Sequence, residues 1–186
     1  MGFSQEDESE KPEAAWENPV LVIVRGIKYN ESYKMLTGGI CMGSYLNPGN
    51  EAFAVALNSE IYVDKTGLLT YTNKVMNTLQ GYICNSRPRR FGKSFAANML
   101  AAYYSKGCDS RKMFSGLAIS QTADFEKHLN QYDVIHLDIQ WFLSNVSDPE
   151  QIVAYITECT LAELRTIYAD QLPPEVSTVP DALSRI

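Results

Sequence analysis

The chain has 186 residues, 45% of them hydrophobic and 20% charged, which suits one soluble domain of ordinary size or part of a larger one. Its net charge of −6 gives no support to general nucleic-acid binding, and the acidity gathers at the start, where Glu6, Asp7, Glu8, Glu10, Glu13 and Glu17 face Lys11 alone. Cys41, Cys84, Cys108 and Cys159 are widely spaced with no C-x-x-C pair, which argues against a disulfide framework or metal knuckle and for free thiols in a reducing cytosol.

Residues 1–18 read as a disordered acidic tail. Gln5-Glu6-Asp7-Glu8 excludes the basic start of a secretory signal, and Val20-Leu21-Val22-Ile23-Val24 is too short to span a bilayer. A cytoplasmic protein without membrane association is expected. After that short β-like run, residues 64–79 suit a helix opening at Asp64, with Leu68, Leu69, Val75, Met76 and Leu79 toward a core. A strand is expected at about 81–85, then a loop and a helix to about Ser105, with Gly107 as the stop. Arg111–Leu117 and Ala123–Gln131 read as short helices. Asp133–Ile139 is apolar almost throughout, as in a parallel strand covered on both faces. Pro149–Tyr168 carries a helical apolar stripe and ends at Pro173-Pro174. His128 reads as an exposed residue of a polar helix and His136 as a hydrogen-bonded core residue. No nucleophile–histidine–acid arrangement and no metal-ligand cluster is evident, so no catalytic residue is assigned.

The segment Ser86-Arg87-Pro88-Arg89-Arg90-Phe91-Gly92-Lys93-Ser94 carries the chemistry. Its end matches the phosphate-binding loop G-x-x-x-x-G-K-[ST], with Arg87 at the first glycine position. A helix start leaves its first N–H groups unpaired and carries partial positive charge, so it accepts anions. Gly92 lets the backbone approach phosphates, and Lys93 places an ammonium against them. Ser94 offers a hydroxyl to Mg²⁺. Arg87, Arg89, Arg90 and Phe91 complete the expected nucleotide-binding set. The bland alternative is a basic surface turn before an ordinary helix. A third reading has Arg87, Arg89 and Arg90 gripping a protein or nucleic-acid partner.

Ile61-Tyr62-Val63-Asp64-Lys65-Thr66-Gly67-Leu68, the loop, and Val134-Ile135-His136-Leu137-Asp138 occur in that order. Together they resemble the bacterial AAA-ATPase-like family, in which arginine at the missing glycine is usual. The resemblance covers about residues 45–186. It implies an α/β fold, a partial P-loop NTPase with three α/β/α layers and a mostly parallel sheet. It also implies ATP and Mg²⁺ as ligands, with Lys93 and Ser94 as the phosphate lysine and the Mg²⁺ hydroxyl. Asp64 and Lys65 match the family's upstream motif without an assigned role. Met42 resembles the family's usual start, so residues 1–41 are expected to be a tail and extension, and 42–186 the N-terminal part of the domain. Relatives continue into a strand ending in adjacent acidic residues, which this sequence lacks. Asp138 is the tempting substitute but better suits a strand end. The expectation is a fragment that binds nucleotide and does not hydrolyse it alone, belonging to a parent ATPase; the alternative is a non-hydrolysing scaffold using the arginine patch.

Overall fold

A computed structural model describes residues 20–25, 44–86, 88 and 91–186. Its organising element is a strand, β2, over Asp133–Asp138. Side chains alternate across a strand, so β2 feeds two cores. Val134 joins one apolar cluster, while Ile135 and Leu137 join another.

β1, Val20–Arg25, is the β-branched run seen in the sequence. It pairs with β2 in parallel, from Val20 opposite Asp133 to Arg25 opposite Asp138. The other edge of β2 is covered by residues 45–47. His136 N–H donates to the Tyr45 carbonyl at 2.7 Å, and Asn47 N–H donates to the Val134 carbonyl at 2.7 Å. The Asn47 side chain accepts from Val134 N–H at 2.8 Å. Asn47 adopts φ +50°, a conformation that asparagine tolerates better than most residues.

Helices cover both faces. On one side lie α1 (Glu51–Leu57), α2 (Gly67–Val75), α3 (Lys93–Tyr104), α4 (Arg111–Phe114) and α5 (Phe125–His128). Phe53 stacks on Phe114 at 4.9 Å, and Ile23 and Val134 reach this core from the strands. On the other side lie α6 (Ile139–Ser144), α7 (Ile152–Ile167) and α8 (Val179–Leu183), which pack Phe142, Leu161 and Leu164 against Ile135 and Leu137. The architecture is α/β, helix layers on either side of a small parallel sheet.

Polar groups set how α3 sits. The Tyr104 hydroxyl donates to Asn73 Oδ1 at 2.6 Å and lies 2.5 Å from Thr72 Oγ1, while Asn73 Nδ2 donates to the Tyr103 hydroxyl at 3.1 Å. These buried bonds join α2 to α3. At the far end of α3, Tyr132 N–H donates to the Tyr104 carbonyl and Lys106 N–H to the Tyr132 carbonyl. Buried Asp133 closes this corner with Lys106 at 2.5 Å and Asn47 Nδ2 at 2.7 Å.

Three expectations are corrected. Residues 81–86 form no strand. A strand needs a partner for its backbone groups, and these residues ladder with neither β1 nor β2; Gly81 N–H turns back to the Thr78 carbonyl instead, and the edge of β2 away from β1 is taken by residues 45–47. The helix expected over 64–79 is shorter, because Asp64 engages the turn before it and Leu79, at 95% exposed, leaves the core. His128 is buried, its ring stacked on Tyr132 and Nδ1 hydrogen-bonded to the Tyr132 hydroxyl. Short α1, α6 and α8, with too few turns for a clear apolar period, had no counterpart in the sequence pattern.

Candidate phosphate-binding site

Gly92 is the pivot. It adopts φ +78° and ψ 29°, in the left-handed region, and serves as the N-cap of α3 without any side-chain cap. Its carbonyl accepts from Ala96 N–H at 2.9 Å, closing the first turn. The N–H groups ahead of that bond have no carbonyl within the helix to pair with. No acidic residue occupies the first turn, so nothing there offsets the positive end of the helix dipole. Lys93 curls back over the loop, donating to the Pro88 carbonyl at 3.4 Å. Ser94 is half-buried on the next position, and Phe91 is exposed on the other side of Gly92. Arg87, Arg89 and Arg90 lie outside the described residues.

The upstream motif docks across this turn. Lys65 Nζ stands 2.8 Å from the point a Gly92 Cβ would occupy, and 5.7 Å from the centre of the Phe95 ring. Tyr62 rests on the same ring at 5.7 Å. Asp64 and Thr66 hold the backbone on either side of Lys65. Asp64 Oδ1 accepts from the Thr66 N–H and hydroxyl at 2.8 and 2.7 Å, and Oδ2 accepts from Ala118 N–H at 2.8 Å. Thr66, fully buried, accepts from Ile119 N–H at 3.1 Å.

Two ionisations report on this docking. Partial burial pushes the Asp64 carboxyl upward, but the N–H groups of Ala118 and Thr66 and the Thr66 hydroxyl outweigh it and hold the pKa below its ordinary value. Burial, aided by the Asp64 charge, pushes Tyr62 up to about 12. Asp138 serves the fold instead. Its Oδ1 accepts from Gln140 N–H at 3.1 Å and Trp141 N–H at 3.4 Å, capping α6 at the end of β2. Behind the turn, β1, α2 and α3 enclose a largely apolar cavity of about 290 Å³ with Lys93 on its wall. Gly92 and Ser94 are not part of its lining, so the turn itself lies outside the cavity.

A family model described as a predicted AAA-ATPase matches residues 51–183. The chain belongs to the AAA-ATPase-like family. The matched span takes in the upstream motif, Gly92–Ser94 and β2, while β1 lies ahead of it. Membership in the AAA-ATPase-like family gives the chain a nucleotide-binding, ATPase-type character. No curated protein and no solved structure matches it. Among the described residues, no helix is long and apolar enough to cross a membrane. Lys65 was visible in the sequence only as part of a motif. The signal that gives it a place is tertiary, its approach to Gly92.

Proposed function

We propose that this chain binds a nucleoside triphosphate with Mg²⁺ at the Gly92-Lys93-Ser94 turn. The observation that carries the reading is the left-handed Gly92, which opens a 12-residue helix whose first turn holds a lysine and no acid. Lys93 would exchange its weak contact with the Pro88 carbonyl for a phosphate oxygen, a stronger charge-assisted partner. Among the described residues no cluster of His, Cys, Asp and Glu could hold a metal ion. Mg²⁺ fits the remaining donors, because it binds readily through one protein oxygen, phosphate oxygens and water. Ser94 is that oxygen here. When bound, Mg²⁺ neutralises charge on the phosphates.

Hydrolysis by this chain alone is not expected, since the Asp138 carboxylate is engaged in capping α6. Titration with a fluorescent ATP analogue and Mg²⁺ tests the reading on wild type and Lys93→Ala. A large loss of affinity in the variant is expected, and equal affinities would overturn the proposal. Binding that ignores Mg²⁺-ATP and weakens steeply with salt would favour a partner held by Arg87, Arg89 and Arg90.

A further inference from the structure

Lys65 occupies an electrostatically poor position for a cation in the absence of ligand. It sits against Gly92, beside the positive end of α3 and next in space to the turn that carries Lys93. Among the described residues its ammonium makes no ion pair; its neighbours are the Phe95 ring and the space above Gly92. Repulsion alone would let a long, exposed side chain swing into water. The backbone around it is nevertheless fixed at both flanks, by Asp64 to Ala118 and by Thr66 to Ile119. An anion between Lys65 and the first N–H groups of α3 would turn each of these repulsions into attraction.

We propose that Lys65 is a second phosphate-binding cation of this site, delivered from the upstream motif and closing on the polyphosphate from the side opposite the helix. The proposal rests on the nucleotide reading above. Gly92 then has two duties, opening the helix in the left-handed conformation and leaving room for the Lys65 ammonium. Phe95 guides the lysine stem, with its ring face toward the charge. Asp64 and Thr66 are positioning residues, acting on the ligand only through Lys65.

The experiment compares the affinity of the Mg²⁺-loaded fluorescent ATP analogue for wild type, Lys65→Ala, Lys65→Arg and Lys93→Ala, with a thermal melt of each. Lys65→Ala should weaken binding about tenfold with its melting temperature nearly unchanged, because the ammonium is exposed, and Lys65→Arg should recover part of that loss. Affinity within twofold of wild type in Lys65→Ala, while Lys93→Ala loses binding, would overturn the role of Lys65 and leave the nucleotide site standing. Absence of binding by wild type would overturn both. Acetylation of wild-type lysines by an active ester, read by mass spectrometry, gives an answer without any variant. Mg²⁺-ATP should slow labelling at both Lys65 and Lys93, and protection of Lys93 alone would count against the proposal.

Discussion

Two glycines show how one missing carbon serves different ends. At Gly92 a side chain would have to adopt φ +78°, at a cost of about 1–2 kcal/mol, and its Cβ would meet the end of Lys65, which can move away. Gly92→Ala should therefore fold, melt a few degrees lower, and lose roughly tenfold in nucleotide affinity, about 1.4 kcal/mol, by isothermal titration. At Gly107 a Cβ would lie 2.4 Å from the Asn47 carbonyl oxygen. That neighbour is backbone, and Asn47 is pinned to Val134 by hydrogen bonds from both its main chain and its side chain. Gly107→Ala should cost about 1–3 kcal/mol, the usual scale of overpacking, seen as a lower denaturation midpoint.

Among the elements, α2 and α3 are joined by polar groups with few alternatives. Tyr104→Phe removes the hydroxyl shared by Thr72 and Asn73 and leaves their buried side chains short of a partner. A loss of about 1–3 kcal/mol in urea unfolding is expected, well above that of deleting an exposed hydroxyl. The upstream motif behaves as a clamp on the turn between Leu117 and Ile119. Asp64→Ala removes an acceptor for Ala118 and Thr66, so the melting temperature should fall. Nucleotide affinity should fall with it, although Asp64 itself faces the protein. Preserved affinity in a folded Asp64→Ala protein would show that the clamp and the turn are independent.

For the whole molecule, acid should act in two stages. Burial, with the charge of Lys127 beside it, lowers the pKa of His128 despite the opposing charge of Asp124. The folded state thus favours neutral imidazole, and the unfolded chain takes up a proton more readily once pH falls below about 6.5. Stability is retained above that pH and declines as pH drops toward the lowered folded-state value. Asp64 also has a lowered pKa, so its contribution persists above about 3.9 and disappears as pH falls further. Thermal melts from pH 7.5 to 5.5 should show a declining midpoint in wild type and a flatter profile in His128→Gln, which lacks the ring at position 128. A parallel decline in the two proteins would remove His128 as the cause.

Much of the site was legible because it is local. Gly92, Lys93 and Ser94 are consecutive, and a glycine before a good helix former announces a helix start whatever the rest of the chain does. The same holds for β2, whose apolar run declared a strand covered on both faces, and for α7, whose stripe has a helical period. Residues 81–85 mark the limit of this kind of reading. Their apolar character is strand-like, but a strand exists only where its backbone groups find a partner ladder, and these residues pair with neither β1 nor β2. His128 shows the same limit, since the composition of α5 is polar while Tyr132, four residues later, closes over its ring. The sequence by itself determined the helix start, the central strand and the chemical types gathered at the turn, all products of near-neighbour preference. Tertiary structure alone decided which segments flank β2 and that Lys65 stands over Gly92. Those outcomes depend on competition among distant segments for hydrogen-bonding edges and space, which no short stretch of sequence contains.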